Sequence, residues 1–308
     1  MRSAPLVALV AVTATAFALI ASPILVADAP SVSVGAGWVS DQSAVPIGDA
    51  GCSADSRSST AVALAKEWDY WDNCGGAVVS ANAEGLPAQP GGGDRVFRWR
   101  KPAGASDVYQ KLNRTFTKDN WAGGSAGPGV PNTGSPADAS GIYTVSQYIP
   151  SAHFQLNPTH GWVILSEFKE NYTDSTGAWR QDVTWGIGCQ TFSGGTTCSL
   201  SPHNSPRFSL SSYMDRWVTW EYRVYQGAKD TTGHGGRIEL WADGKLLDTG
   251  YESEKHVGST AFAPLAKTRG WVWIVGQYTS NQTTDSVPDY QNTDVTSYVG
   301  RSSVSPLL

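Results

Sequence analysis

Two charged side chains near position 168 are spaced so that they can act together. The stretch Trp162–Lys169 alternates in the way that predicts a β-strand, and the alternation places Glu167 and Lys169 on one side of it, together with Val163 and Leu165. A lysine in such a position can neutralise the carboxylate of a bound ligand, and a glutamate can line the binding subsite. The competing interpretation is an exposed Glu–Lys pair that only stabilises a sheet.

A second predicted strand, Val108–Phe116, carries further cationic and amide side chains. Gln110 and Arg114 lie on one side of it, and Lys111 lies on the other side with Asn113. The sequence does not decide which side faces a ligand, so Arg114 and Lys111 are alternative neutralising cations. Gln110 and Lys111 are also candidate substrate-binding residues. A solvated surface position is the alternative for each of them.

The apolar stretch Gly270–Tyr278 predicts a third strand, which ends in a group able to transfer a proton. Tyr278 is the candidate acid and base, and Gln277, on the opposite side of the strand, is a candidate substrate-binding residue. His153 and His160 flank the first strand, and His153 is an alternative base. An ordinary core or surface tyrosine is the competing interpretation of Tyr278.

These groups together suit the removal of a proton beside a carboxylate, followed by loss of an oxygen substituent from the next carbon. Such a reaction needs the carboxylate to be neutralised by Lys, Arg, Asn, Gln or a metal, and it needs Tyr or His as the base. A hydrolase would instead need two carboxylates that flank a bond, and the possible partners are Glu167, Glu221 and Glu239. Glu221 with Arg223, and Arg237 with Glu239, are predicted to be cross-strand charge pairs.

The composition favours a β-rich exported protein. Of the 308 residues, 16 % are charged and 11 % are aromatic, with 13 Trp and 33 Gly. The formal net charge of −5 excludes a global basic footprint for nucleic acid or an anionic membrane. The many tryptophans leave a further possibility open, a module that binds its ligand on exposed aromatic platforms without chemistry.

The most regular element is a long hairpin, Trp217–Gly250, whose arms are rich in aromatic and β-branched residues. Asp243-Gly244 supplies the positive φ of a tight turn, after which a further strand begins. A single helical stripe predicts a helix at Ser59–Trp71. Many short strands separated by Gly and Pro turns predict an all-β fold, an antiparallel two-sheet sandwich with one short N-terminal helix.

The N-terminus predicts an export signal. Arg2 precedes the apolar run Leu6–Leu25, and Ala27-Asp28-Ala29 fits a small-x-small cleavage site, so residues 1–29 are predicted to be a signal peptide. An uncleaved membrane anchor is the alternative. We expect a secreted, extracellular protein with no membrane contact after cleavage. Residues 30–65 would form an N-terminal extension and residues 66–308 the sandwich domain.

Four cysteines agree with export: Cys52, Cys74, Cys189 and Cys198. None forms a Cys-x-x-Cys pair, so no zinc or redox motif is indicated. The simplest disulfides in an oxidising compartment are Cys52–Cys74 and Cys189–Cys198, although the other pairings stay open. No metal-ligand spacing stands out and no cofactor is expected to be required. The acidic loop Asp285–Asp294 is a possible structural Ca²⁺ site.

The order of the elements resembles that of the concanavalin-A-like jelly rolls of polysaccharide lyases, of the alginate lyase, glucuronan lyase and heparin lyase I types. Gly276-Gln277-Tyr278 sits where the alginate lyase type carries a catalytic Tyr. The other segments that carry the resemblance are Trp71–Gly76 with Arg95–Arg100, Tyr143–Pro150 with Gly161–Lys169, and the hairpin from Trp217 to Gly244.

The resemblance implies a jelly-roll sandwich that cleaves a uronate-containing polysaccharide by β-elimination, and we expect a monomer. The family carries Gln and His where this chain has Glu167 and Lys169, which is a departure in the site itself. The loop Ala122–Gly141 is long enough to be a lid. A jelly-roll glycoside hydrolase and a lectin-like carbohydrate-binding module are the alternatives. The Glu-x-Asp-x-x-Glu strand of jelly-roll glucanases is absent.

Overall fold

Sixteen strands and one α-helix are present in the part of the chain that the computed structural model describes. The described residues are 38–51, 58–72, 76–101, 108–116, 141–153, 162–173, 179–192, 195–201, 207–225, 237–251, 270–279, 295–305 and 307. In chain order the elements are β1 (Trp38–Ser40), β2 (Gly48–Gly51), α1 (Ser59–Leu64), β3 (Tyr70–Asp72), β4 (Gly76–Ser80), β5 (Arg95–Lys101), β6 (Val108–Phe116), β7 (Gly141–Tyr148), β8 (Trp162–Thr173), β9 (Trp179–Phe192), β10 (Gly195–Ser201), β11 (Phe208–Ser209), β12 (Trp217–Tyr225), β13 (Arg237–Ala242), β14 (Lys245–Tyr251), β15 (Gly270–Thr279) and β16 (Val295–Ser305), with short 3-10 helices at Ser151–His153 and Leu210–Tyr213.

The strands form two antiparallel sheets, and the chain passes repeatedly from one to the other, as in a jelly roll. A nine-stranded sheet has the order β14-β13-β12-β7-β16-β5-β4-β2, and β1 joins it by pairing with β16. A seven-stranded sheet has the order β11-β10-β9-β8-β15-β6-β3. The predicted fold class, an all-β two-sheet sandwich with one short helix, is confirmed.

Large aromatic side chains from the two sheets meet in the core between them. Phe168 of the seven-stranded sheet packs edge to face on Tyr143 and Tyr222 of the nine-stranded sheet, with ring centroids 5.0 and 5.2 Å apart. Trp273 stacks on Phe168 and is fully buried. Aromatic pairs of this kind add to the free energy gained by burying their area. They therefore pack β8 and β15 of the seven-stranded sheet against β7 and β12 of the nine-stranded sheet.

The long hairpin forms as predicted and anchors one edge of the nine-stranded sheet. β12 pairs with both β7 and β13, so the first arm of the hairpin is an interior strand. Asp243 and Gly244 have φ of 48° and 79°, the positive values that a two-residue turn with the right twist requires. Asp243 also accepts a hydrogen bond from the backbone N–H of Thr219 at 2.9 Å. The turn thus fixes the register of β13 and β14.

The helix is shorter than the sequence predicts. It starts after Ser58, whose hydroxyl accepts a hydrogen bond from the Ala61 N–H, and it ends at Leu64 instead of continuing to Trp71. The predicted stripe residue Trp68 is still fully buried, because it packs against Trp38 and Trp273, and its indole N–H donates to Ser40 Oγ at 2.9 Å. Tertiary packing therefore ends the helix early while keeping its apolar face in use. Within the described ranges, no helix has the length and apolarity to span a membrane.

One disulfide joins neighbouring strands of the seven-stranded sheet. Cys189 on β9 and Cys198 on β10 are cross-strand partners, and both are buried in the core. This confirms the predicted Cys189–Cys198 pair. Cys52 and Cys74 lie outside the described residues, so the Cys52–Cys74 pair stays a prediction.

Part of the predicted N-terminal extension belongs to the nine-stranded sheet. β1 pairs with β16 and β2 pairs with β4, so the described residues of the segment 30–65 are built into the sandwich. Three predicted segments lie outside the described residues: the signal peptide, residues 122–140 of the lid loop, and the acidic loop from 285 to 294.

Candidate functional site

A β-bulge in β8 decides which of its side chains face away from the core. Ile164 and Ser166 pair with consecutive residues of β9, so Leu165 has no partner there and the alternation of faces slips by one. Leu165 and Ser166 both face the core, and Glu167 and Lys169 lie on the other face with Ile164. The shared side of Glu167 and Lys169 is as predicted. The prediction that Val163 and Leu165 lie on that side is wrong, because both are core residues.

The seven-stranded sheet has an outer face, the side that points away from the core. Its described side chains are Lys111, Asn113, Ile164, Glu167, Lys169, Val272 and Ile274. Lys111 and Glu167 are only 4 % and 3 % exposed. A shallow depression lies among Lys111, Ile164, Glu167 and the backbone of Gly276. Charged groups at its floor lie in a medium of low dielectric, where electrostatic contacts are stronger than in water.

Two lysines share one carboxylate oxygen at this depression, and we call Lys111, Glu167 and Lys169 the lysine–glutamate cluster. Lys111 Nζ lies 2.7 Å and Lys169 Nζ 3.2 Å from Glu167 Oε1. The formal charge of the three groups sums to +1. The Lys169 side chain is 17 % exposed, which makes it the most accessible member of the cluster. The cluster therefore brings two ammonium groups onto one carboxylate at a mostly buried position.

Glycines on the strands beside Glu167 and Lys111 leave room for the cluster. Gly186 on β9 is the cross-strand partner of Glu167, and a Cβ there would lie 2.5 Å from the carbonyl oxygen of Ser166 and 3.0 Å from Glu167 Cβ. Gly276 on β15 lies opposite Lys111 and has φ of 141°, which favours glycine. β15 separates β6 from β8, so the missing side chain at Gly276 lets Lys111 reach Glu167 across it.

Asn113 is a residue of the outer face to which sequence reasoning gave no role. It is 7 % exposed and lies two residues from Lys111, opposite Ile274. Its Oδ1 has no hydrogen-bond partner among the described atoms, which is costly for a buried amide. The alternation of β6 already placed Asn113 beside Lys111. The missing information was which face of β6 points outward.

Arg114 is separated from the lysine–glutamate cluster by the β-strand itself. Its neighbour Leu112 is a core residue, and Arg114 shares that side of β6. Arg114 Nη1 contacts Asp69 Oδ1 at 2.9 Å, and the guanidinium lies 5.6 Å from the ring centroid of Trp38. The arrangement thus favours Lys111 over Arg114 as the cation of β6 that acts at the outer face.

Four further candidates have described backbones, but their side chains lie outside what the structure describes. Gln277 on β15 is the backbone partner of Gln110 on β6. Tyr278 is the partner of Ile164 on β8, at the rim of the depression. His153 ends a 3-10 helix. Their assigned roles stay predictions, and His160 lies outside the described residues.

The two other glutamates that were candidates for hydrolysis, Glu221 and Glu239, lie on the nine-stranded sheet and belong to local ion pairs. On β12, Arg223 Nε lies 2.5 Å from Glu221 Oε1. On β13, Arg237 Nε lies 3.0 Å from Glu239 Oε1. The prediction of cross-strand pairs is wrong in detail, because each pair joins residues two apart on one strand. Such residues share a face and lie close together. These glutamates therefore do not lie beside Glu167.

The chemistry of the described site rests on ammonium and amide groups. Glu167 is the one carboxylate among its described side chains, and no group of three His, Cys, Asp or Glu residues that could hold a metal ion occurs in the described ranges. Two lysines and one amide can bind and neutralise an anion. Such a donor set is complementary to a carboxylate-bearing ligand.

Comparisons with known proteins add distant structural likenesses. No protein-family model matches the chain, and no curated protein matches it. The chain is similar to an endo-beta-1,4-glucuronan lyase from the fungus Trichoderma reesei, with 13 % identity, a TM-score of 0.45, and coverage of 78 % of this chain and 91 % of that one.

Two alginate lyases show similar likeness. For alginate lyase Aly36B, solved with an alginate tetrasaccharide, the identity is 9 %, the TM-score 0.43, and the coverage 89 % of this chain and 98 % of that one. For the PL7 alginate lyase AlyA1 from Zobellia galactanivorans the values are 11 %, 0.39, 73 % and 86 %. These likenesses are too distant to assign an activity, and the fold class rests on the two sheets themselves.

Proposed function

We propose that this protein is a carbohydrate-active enzyme, a polysaccharide lyase that cleaves a uronate-containing glycan by β-elimination at the outer face of the seven-stranded sheet. The observation that carries the proposal is the lysine–glutamate cluster: two lysines contact one carboxylate oxygen, and Lys111 and Glu167 line a depression in the outer face. A uronate presents a carboxylate beside the carbon that must lose its proton. A cationic site is what that carboxylate needs in order to be neutralised.

Glu167 alone would repel the carboxylate of a uronate, but the two lysines beside it oppose this repulsion. Lys111 is buried and close to Glu167, so it compensates the carboxylate. Lys169 is further from Glu167 and more exposed, so its positive charge is left for the substrate. In this account Lys169 neutralises the substrate carboxylate, Glu167 orients Lys169, and Lys111 forms the second ion pair with Glu167 at its buried position.

The same arrangement gives little support to hydrolysis. A glycosidase needs an acid and a second carboxylate about 5 to 10 Å apart on either side of the bond. The described outer face offers Glu167 alone, and Glu167 is already bound to two lysines. Glu221 and Glu239 belong to the nine-stranded sheet and pair with their own arginines.

Proton transfer is assigned to Tyr278, with His153 as the alternative base. The backbone of Tyr278 pairs with Ile164, whose side chain borders the depression. A tyrosine there would remove the proton next to the neutralised carboxylate, and it could return a proton to the leaving glycosidic oxygen. Asn113 would complete the subsite around the sugar. Gln110 shares its side of β6 with Arg114 and pairs with Gln277, so neither glutamine has a contact role in this scheme. Arg114, which faces the core side, has no contact role in this scheme.

Export is part of the proposal. The predicted signal peptide of residues 1–29 would direct the chain to an oxidising compartment. The Cys189–Cys198 disulfide would form and persist in such a compartment. A polymeric glycan is an extracellular substrate. No cofactor enters the scheme, because the neutralising charge comes from lysine; the Ca²⁺ site suggested at Asp285–Asp294 stays a separate prediction.

The test is a substrate panel with a chemical signature for elimination. The purified secreted protein is incubated with alginate, glucuronan, a heparin-type glycan and a neutral β-glucan. Elimination leaves a carbon–carbon double bond conjugated to the carboxylate, so the expected result is rising ultraviolet absorbance with at least one uronan and none with the neutral glucan.

Two results would contradict the proposal in different ways. Reducing ends released from the neutral glucan, with no absorbing product from any uronan, would identify a hydrolase. Tight binding to a glycan without any turnover would identify a lectin-like module. Tyr278→Phe and His153→Ala then assign the base, since the variant that loses elimination while keeping uronan binding lacks the proton acceptor.

A further inference from the structure

Ser166 sits where the core meets the outer face, although its side chain faces the core. It is 1 % exposed, and its hydroxyl donates a hydrogen bond to the carbonyl oxygen of Ile274 at 2.9 Å. The indole N–H of Trp273 donates to the same hydroxyl at 3.2 Å. Both partners belong to β15, the neighbouring strand. Ser166 is therefore hydrogen-bonded through its side chain to β15, whose Trp273 is fully buried in the core.

The position of Ser166 in the strand gives these bonds a consequence for Glu167. Ser166 closes the bulge at Leu165 and directly precedes Glu167. A strand without the bulge would keep plain alternation, and Glu167 and Lys169 would then share a side with the core residues Val163 and Leu165. A slip of one residue moves every following side chain to the opposite face.

The register with β15 shows the same irregularity. Val275 pairs with Ser166 and Tyr278 pairs with Ile164, so two residues of β15 face the single residue Leu165. The hydroxyl of Ser166 bonds to β15 just before this irregular step, at Ile274. This hydrogen bond thereby fixes the register of β8 against β15 at the residue next to the bulge.

We propose that Ser166 is a positioning residue: its buried hydroxyl, held by Trp273 and Ile274, fixes the bulge that aims Glu167 and Lys169 at Lys111. Gly186 acts from the opposite strand, since the space that a Cβ would need is filled by the Ser166 carbonyl oxygen and Glu167 Cβ. The backbone at Glu167 is thus held from both neighbouring strands: from β15 through the hydrogen bonds of Ser166, and from β9 through the close approach of Gly186. The catalytic consequence rests on the proposed function; the geometric one does not.

The first experiment reads the geometry without any substrate. Ser166→Ala is compared with Ser302→Ala, which removes a fully buried serine hydroxyl from β16 in the other sheet. The ammonium protons of Lys111, buried against Glu167, should exchange slowly enough to give a signal in a proton–nitrogen spectrum, assigned by its loss in Lys111→Gln. We expect Ser166→Ala to weaken or abolish this signal and Ser302→Ala to keep it.

The second experiment reads catalysis on whichever uronan the wild type cleaves. Ser166→Ala should lower kcat about 10- to 100-fold with a smaller change in KM, since small displacements of catalytic groups cost rates of this order. Ser302→Ala should lower the melting temperature without changing kcat. If no uronan is cleaved, the proposed function fails, and the ammonium signal still decides the role of Ser166.

Retention of both the Lys111 signal and kcat in a folded Ser166→Ala protein would overturn the proposal and leave Ser166 as a packing residue. If Ser166→Ala does not fold, Gly186→Ala decides the question, because it presses on the same bulge and leaves the hydroxyl in place. We expect Gly186→Ala to lose the Lys111 signal. A Gly186→Ala protein with that signal and kcat unchanged would contradict the proposal equally.

Discussion

The outer faces of the two sheets use charge in opposite ways. On the nine-stranded sheet, Glu221 pairs with Arg223 and Glu239 with Arg237, each anion with one cation two residues away. These arginines also lie over aromatic rings, Arg223 over Trp241 at 4.2 Å and Arg237 over Tyr225 at 3.7 Å. On the seven-stranded sheet, one carboxylate holds two lysines from two strands that are not neighbours, and most of the cluster is buried.

The two arrangements differ in burial and in the number of cations on each carboxylate. Half-exposed pairs within one strand satisfy each other, and they contribute little because water screens them. A buried cluster with unequal charge is costly to assemble, since burial penalises every ion. Under the proposed function, the more exposed ammonium of this cluster, that of Lys169, binds the anionic ligand.

Glu167→Gln should give the largest difference between the two faces. Two buried lysines would lose their carboxylate, and breaking a buried ion pair costs about 3 to 5 kcal/mol of unfolding free energy. Glu239→Gln, the matched change on the other sheet, should cost at most about 1 kcal/mol. Urea unfolding of both variants measures the two losses. Similar losses in the two variants would remove the contrast between the faces.

Removal of the disulfide should have the next largest effect. Cys189 and Cys198 close a loop of 9 residues, so the double change to alanine should lower the unfolding free energy by about 3 kcal/mol. The nine-stranded sheet closes its hairpin with a turn instead, and Gly244→Ala there should cost about 1 to 2 kcal/mol because of the positive φ. A double cysteine variant as stable as the wild type would show that the sheet does not depend on this link.

The partly buried carboxylate of Glu67, whose described contacts are hydrogen bonds, offers the smallest expected effect. Burial raises the pKa of Glu67, although the hydrogen bond from Ser40 opposes the shift. The folded state then holds the proton more tightly than the unfolded state, so this stability is present in acid and is lost as the pH rises through the folded pKa. Glu67→Gln keeps an acceptor for Ser40 and has no such loss.

The melting temperature of Glu67→Gln relative to the wild type should therefore increase from acid to neutral pH. The change should be smaller than that from Glu167→Gln, which leaves charges unpaired. Melting curves of both proteins across this pH range provide the measurement. Parallel curves would mean that Glu67 titrates alike in the folded and unfolded states.

Local patterns predicted the elements whose cause is local. The hairpin formed because its arms carry β-branched and aromatic residues and because Asp243-Gly244 can adopt positive φ. The Cys189–Cys198 link followed from short spacing. The predicted helix was too long because the apolar spacing in the sequence continues to Trp68. In the structure the helix ends at Leu64, and Trp68 packs in the core with its indole N–H bonded to Ser40.

The candidate site was harder to predict because its geometry depends on neighbouring strands. The bulge at Leu165 has no signal in β8 alone; it follows from the fit to β9 and β15. Glu167 and Lys169 kept their common side because both follow the bulge. Lys111 could not be separated from Arg114, since β6 carries polar side chains on both faces, and only the pairing with Glu167 decides between them.

The proposed function depends most on Lys169, the more exposed of the two lysines on Glu167, which neutralises the substrate carboxylate. The most direct measurement is kcat/KM of Lys169→Gln on a uronan and on the same uronan methyl-esterified, with the exposed Lys245→Gln as the control. We predict a loss of about 100-fold on the free acid, a much smaller loss on the neutral ester, and none in the control. An equal loss on both substrates, or no loss on the acid, would contradict the account.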